Sequence, residues 1–428
     1  MNSQSKEKNK RAIILGGGLT GLAAADILAD NFDVTVIERQ DHLGGLAASF
    51  EQNGEYIPKY YHHIIWHNDT TQKYLSRFGL MKGCEWKKIN VGIGVKCKIT
   101  DITKPFQLMG FNYLSFLGRM RFGLFGLYTI FLMNPAKIPD SMDAQSWLEK
   151  RAGKEVTKKI FYNLYGRNKF NISLKEVSAK QFAYRLKERE VYDRFTFPKK
   201  GLQKLIDGLS DSIKKRGGKI ITDADIKHID SNTKTVLLKD AELKADIIIS
   251  TIPIPHLLNI TSGMPEKYVK QLSKIRWCPC VNVTFGTEQF LNENYYWTNF
   301  FDERVHVLMQ HSALIDKYST KVNWVLRYGG SEEDLELPDE SIKKEYLGVV
   351  KRYFPEIKVK WARVFREKYA EPVYDKDYSS YRPDYSTPIP GFYLAGIQVT
   401  HPKIRNMNTA LESGIHVANL VLKGKQNH

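Results

Sequence analysis

A chain of 428 residues is longer than one hydrophobic core usually serves, and 42% hydrophobic against 26% charged residues is the balance of a folded globular protein, not of a disordered or fibrous one. Four cysteines exclude a disulfide-stapled scaffold, and Cys278-Pro279-Cys280 has the wrong spacing for a CxxC redox or zinc motif, so they read as reduced thiols of a cytoplasmic protein with no metal site. The net charge of +17 is dispersed and carries no nucleic-acid motif, which leaves solvation, an anionic small molecule or an anionic membrane surface as its meaning.

Met1–Arg11 is a polar, Lys-rich tail without the apolar run of a signal peptide, and Lys423–His428 reads as a second tail. Ala12–Leu15 is a short apolar run expected to be a buried parallel strand. Gly16-Gly17-Gly18-Leu19-Thr20-Gly21 follows, then an Ala-rich helix from Leu22, then a strand Asp33–Glu38 ending in an acid. This is GxGxxG in the strand–turn–helix setting that a dinucleotide requires. Gly16 allows the tight turn, Gly18 lets backbone approach a pyrophosphate, and Gly21 lets the helix pack on the strands. Leu19 and Thr20 open the helix, whose free N–H groups and positive dipole end face the phosphates. Glu38 lies at the distance expected of an acid that binds an adenosine ribose, and it disfavours a 2′-phosphate.

Arg39-Gln40-Asp41-His42-Leu43-Gly44-Gly45-Leu46-Ala47-Ala48-Ser49 resembles the segment after the ribose-binding acid in the flavin-dependent amine oxidase superfamily, in its protoporphyrinogen oxidase and phytoene desaturase branch. The resemblance implies FAD as cofactor, with Gly44, Gly45, Leu46 and Ala47 against the pyrophosphate and Arg39 beside the adenosine. It also implies an α/β fold: a Rossmann-type FAD-binding domain assembled from residues 1–100, 195–255 and 386–428. An α+β substrate domain would be inserted as 101–194 and 256–385.

Tyr60–His67 holds three His and three large aromatics, a candidate pocket wall in which His62 or His63 acts as general base or binds an anion; aromatic core packing is the alternative. The longest uncharged stretch, Phe122–Ala136, falls short of the ~20 residues that span a bilayer, and Phe106–Met133, rich in Leu, Phe, Met and Tyr but broken by Arg119 and Arg121, reads as a buried helical lid or as a helix pair at a membrane surface. In Asn163–Phe170, Arg167 and Lys169 are candidate anion ligands or parts of a solvated loop. Lys219–Ile229 reads as a strand in which Ile226 and Ile229 match the family's adenine-side pattern, and Ala245–Thr251 as a buried strand with Thr251 at the cofactor. Arg276-Trp277 and Tyr295-Tyr296-Trp297 look like walls of a second sheet.

Gly391–Gly396 is similar to the family's strand that runs up to the flavin, followed by a helix over Asn408–Leu422. The resemblance places Gly396, Gln398, Asn406, Asn408 and Thr409 at the cofactor and makes Arg405 a candidate partner of substrate or cofactor charge. Where the family often has Asp after Ala-Gly, this chain has Ile397-Gln398. The expected function is FAD-dependent oxidation or desaturation of a small, amphipathic or isoprenoid-like molecule. A non-redox flavoenzyme similar to UDP-galactopyranose mutase is the alternative, and a pair of Arg facing the flavin would mark it. Peripheral contact with a membrane stays open, and no motif specifies an oligomeric state.

Overall fold

The computed structural model of the protein describes residues 10–188, 192–292 and 294–426. The polar ends lie mostly outside this range, but Arg11 and Lys423, expected in the tails, belong to the first strand and the last helix.

The apolar run Arg11–Leu15 is the middle strand of a five-stranded parallel sheet in the order Lys219–Ile221, Asp33–Ile37, Arg11–Leu15, Ile247–Ser250, Phe392–Leu394. Ile13 lies opposite Thr35 on one side and Ile248 on the other. A strand with neighbours on both edges and both faces covered, one by the helix Leu19–Leu28 and the other by the cluster of Ile229, Val236 and Leu238, has to be apolar throughout, which is why Ala12 to Leu15 are all buried. The strand order reverses beside this strand, so a crevice opens outside its carboxyl end, where the glycine-rich loop emerges. The helix Leu19–Leu28 leaves that loop and packs against the C-terminal helix Met407–Gln426. Contact is backbone-close: a Cβ on Gly414 would stand 2.3 Å from the Thr20 carbonyl oxygen. Asp26, buried beneath, ties this helix to its neighbours through ion pairs with Arg77 (2.5 Å) and Arg216.

The expected single strand over Lys219–Ile229 is two. Lys219–Ile221 stays in the parallel sheet, while Ile226–Asp230 pairs with Thr235–Leu238 in a separate four-stranded sheet. Asp223, at φ +53°, turns the chain between them.

A second sheet has seven strands, in the order Val359–Pro372, Trp277–Thr287, Lys321–Tyr328, Val307–Gln310, Trp297–Phe300, Val91–Val95, Lys98–Thr100. Residues of alternating side fill its two faces. Val281, Val283 and Phe285 pack with Ile342, Tyr346 and Val350 of the helix Asp339–Tyr353. Cys280, Tyr328 and Phe365 face the other way, toward the cofactor domain. Val91–Val95 and Lys98–Thr100, which precede residue 101, are bonded into this sheet.

Phe106–Met133 forms two helices, Pro105–Met109 and Phe116–Phe131. The expectation of a buried lid fails in two respects: the outer side chains are exposed, and no residue of the segment lines the central cavity. Asn163–Phe170 is likewise no solvated loop. It ends a π-helix over Thr157–Phe170 and is mostly buried. Among the described residues, no helix is long and apolar enough to cross a membrane.

Buried histidines, His306 and His401 among them, help set the acid limit of this fold. Burial, reinforced by Arg167 and Arg327, pushes His306 down to about 3, and burial beside Arg382 pushes His401 to about 4. The unfolded chain protonates its histidines near pH ~6.5. Folded-state values below the unfolded one mean that stability is complete above about pH 6.5 and is lost as pH falls toward the folded values. Urea midpoints should drop between about pH 7 and pH 5 by a few kcal/mol in total, on the order of 2 for each histidine. A midpoint that does not move across that interval contradicts the assignment.

Candidate functional site

Glycine geometry shapes the first part of the site. Gly16 turns at φ +102°, and its N–H donates to the Ile37 carbonyl (2.8 Å). Gly44 and Gly45 take φ +113° and +54°, and the Gly44 N–H donates to the Gly17 carbonyl (2.9 Å), so the two glycine segments lie side by side. Crowding differs among these positions. A Cβ would stand 2.0 Å from the Gly16 carbonyl oxygen at Gly21, and 2.5 Å from Ile206 Cδ1 at Gly44. At Gly18 it would meet nothing within 4 Å. Gly18 therefore borders open space at the start of the helix, where the first N–H groups have no intrahelical acceptor and the dipole is positive. That is a cradle for a pyrophosphate.

Glu38 stands beside it. Its Oε2 accepts from Gly17 N–H (2.7 Å) and its Oε1 from Gln40 N–H (2.8 Å), which aims the carboxylate at the cavity with lone pairs left for ribose hydroxyls.

A single cavity of about 710 Å³ joins this cradle to the second sheet. Gly16, Gly18, Leu19, Thr20, Glu38, Arg39, Gly44, Gly45, Leu46, Ala47, Ile226, Thr251, Gly396, Gln398 and Asn406 all line it, together with His62, His63 and Arg405. Three expected cofactor contacts do not. Gly21 acts only through the close packing described. Asn408 is turned into the fold, accepting from Thr71 N–H (3.0 Å) and donating to Glu412 (2.7 Å). Thr409 is buried, and its N–H donates to Asn406 Oδ1 (2.8 Å), which makes Asn406 the cap of the C-terminal helix. Gln398 borders the cavity but spends its amide on the Ala395 carbonyl (2.7 Å), holding the Gly396 turn.

The far wall is aromatic and cationic. Tyr61 and Tyr328 share a hydroxyl–hydroxyl bond (3.0 Å), with Trp297 beside Tyr61. His62 Nδ1 lies 2.9 Å from the Tyr60 carbonyl, which only accepts, so Nδ1 carries the proton and Nε2 the lone pair. Burial, with Arg405 near, pushes its pKa to about 4 and keeps the ring neutral. His63 stacks on Phe195 and meets the Tyr296 hydroxyl (3.1 Å), so it serves the aromatic wall.

Arg405 donates to the Tyr328 hydroxyl (2.9 Å) and lies 3.4 Å from Glu371, a carboxylate only 1% exposed. Lys169 closes on the same carboxylate at 3.0 Å. Burial opposes the charge on Glu371, but Lys169 and Arg405 outweigh it and hold the group below the usual carboxylate range. Burial also pushes Lys169 down to about 8 despite Glu371. Lys169 thus braces the wall from behind, and Arg167 is tied to the carbonyls of Phe301 and Glu303; neither lines the cavity. Arg185 does line it.

The sequence reading missed Glu371, Arg185 and Tyr328, whereas Tyr61 falls within the candidate wall Tyr60–His67. A signal existed for Glu371: it is an acid in the apolar stretch Tyr369–Tyr374, and a charge in a buried run needs a partner. The others are joined only by tertiary contact. Among the described residues, no group of three His, Cys, Asp or Glu is placed to hold a metal.

The donor set fits FAD: a pyrophosphate cradle with room at Gly18, a ribose acid, and a deep aromatic end able to hold a flat ring. Comparison with known proteins agrees. The chain is 22% identical over 474 residues to a 15-cis-phytoene desaturase of Synechococcus elongatus, with 96% of both proteins covered. A structure assigned as a protoporphyrinogen oxidase from Exiguobacterium sp. 255-15 has the same fold, with TM-score 0.77 at 16% identity over 96% of this chain and 98% of that one. Reduced UDP-galactopyranose mutase also shares the fold, with TM-score 0.77 at 15% identity over 97% and 94% of the two chains. The family model of flavin containing amine oxidoreductases matches residues 19–422. This chain belongs to that family, and its cofactor is FAD.

Proposed function

We propose that the protein is an FAD-dependent oxidoreductase that takes a hydride from a small amphipathic molecule held between the cofactor and the wall of Tyr61, His62, Trp297, Tyr328 and Arg405. The observation that carries this reading is the unbroken cavity from the cradle at Gly18 to that wall. Bound FAD supplies the two-electron acceptor, so the chain needs no nucleophile of its own. The tyrosine and tryptophan faces exclude water and hold the apolar part of the substrate. His62 offers Nε2 as an acceptor to a substrate O–H or N–H. With a pKa of about 4 it orients such a group and does not store its proton. Arg405 keeps positive charge at the ring's expected position, which favours an anionic group there.

The test is anaerobic. Holoprotein should be bleached by dithionite, and by donors that join an apolar body to a polar or anionic end. Flavin absorption that dithionite never bleaches overturns the reading.

One observation favours a second reading. Arg185 and Arg405 line the same cavity, as binding of a nucleotide-sugar diphosphate would require. Isomerisation of UDP-galactopyranose by the reduced protein, without net consumption of electrons, would decide for it.

A further inference from the structure

The helix Phe116–Phe131 carries its hydrophobic residues on the wrong side for a globular protein. Phe116, Leu117, Met120, Leu124, Leu127 and Phe131 are all exposed. At about 100° per residue they fall within an arc of roughly 100°, a single stripe along the helix. The opposite side is the one that packs: Phe125 meets Trp147 and Phe161 edge-on, and Gly118 abuts Glu155. Beyond the helix the patch continues through Leu132, 76% exposed, while Phe106 on the preceding short helix is 95% exposed. Contiguous apolar area of this kind marks a contact surface.

Charge identifies the partner. From Ile102 to Pro139 there is no acidic residue, whereas Lys104, Arg119, Arg121 and Lys137 lie within that stretch. The acids that flank the stretch are paired, Asp101 with Lys104 (3.4 Å) and Asp140 with Lys180 (2.9 Å), and Glu155, which abuts the helix at Gly118, is paired with Lys159 (2.9 Å). A second copy of the chain would bring like-charged rims together, which is unfavourable. An anionic bilayer satisfies both the stripe and the rim. A helix of 16 residues, about 24 Å long, is too short to span the hydrocarbon core but suits the interface plane.

We propose that this face docks the protein on an anionic lipid surface, with the helix lying flat and its apolar stripe entering the acyl boundary. The proposal is independent of the catalytic reading, because no residue of the stripe lines the cavity.

Flotation of the FAD-loaded full chain with vesicles tests it, using phosphatidylglycerol mixed with phosphatidylcholine against phosphatidylcholine alone. The protein should float with the anionic vesicles. The triple variant Leu124→Asp, Leu127→Asp, Phe131→Asp should partition at least about tenfold less, with flavin absorption and circular dichroism unchanged. Should that variant misfold, Phe106→Asp, at the most exposed position, should still weaken binding severalfold. Added salt should lower binding to the anionic vesicles. Three results overturn the proposal: protein left in the aqueous fraction, variants that bind as well as the parent, or a concentration-dependent dimer that the substitutions abolish.

Discussion

Gly18→Val should give a folded protein that no longer takes up FAD. Gly18 has an ordinary φ of −76°, so a β-branched residue meets no backbone strain there. A Cβ at this position touches no protein atom within 4 Å, so the fold has no steric reason to object. The space it enters is the one beside the first N–H groups of the helix Leu19–Leu28, where the pyrophosphate lies in this account. Circular dichroism and the urea midpoint of the apoprotein should match the parent within about 1 kcal/mol. FAD affinity should fall by at least about a hundredfold, roughly 3 kcal/mol. Gly21→Val is the contrasting case, since its Cβ would stand 2.0 Å from a backbone oxygen and must disturb the fold itself. A yellow Gly18→Val protein with parental FAD affinity would place the phosphates elsewhere.

Glu371→Gln should be the most destabilising conservative change behind the site. The carboxylate is 1% exposed and is the anion between Lys169 and Arg405. Removing its charge while keeping its shape leaves two cations facing each other in a poorly solvated space, with Arg185 near. Breaking a buried ion cluster in this way typically costs about 3–5 kcal/mol. The loss should have a characteristic pH dependence. Burial pushes Lys169 down to about 8 even with Glu371 present. Its folded-state value is lower than its unfolded one, so the unfolded chain binds more protons in between, and stability rises with pH across that window. Without Glu371 the folded-state value drops further, and the variant should start to regain stability at a lower pH than the parent. Urea midpoints from about pH 6 to pH 9 check both points. A variant within about 1 kcal/mol of the parent throughout would show that the cluster does not hold the wall.

The parts that the sequence made legible are the parts with local causes. Gly16, Gly18 and Gly21 have their spacing because one turn, one approach and one helix crossing each need a missing side chain. All three occur within six consecutive residues. Glu38 and the Gly44-Gly45 pair follow on the same continuous segment, and all three line the cavity. Arg405 was legible because the helix after it fixes its direction. Where the cause was tertiary, the reading failed. Val91–Val95 and Trp297–Phe300 pair in parallel across some two hundred residues, and neither stretch announces the other. Lys169 read either as an anion ligand or as part of a solvated loop, because its partner, Glu371, lies at the end of a distant strand. Asn408 and Thr409 sit next to the cavity in sequence, but the helix turns both inward. The lid reading of Phe106–Met133 failed for a different reason. Apolar composition normally signals a core, and composition alone does not show which face packs.

Function in this protein requires the loop at Gly16 to embrace a diphosphate whose far end is a flavin ring. The direct measurement is the FAD content of the purified chain after reconstitution with excess cofactor and removal of what is unbound. The prediction is a yellow protein that releases equimolar FAD on denaturation. A colourless chain that retains none would contradict it.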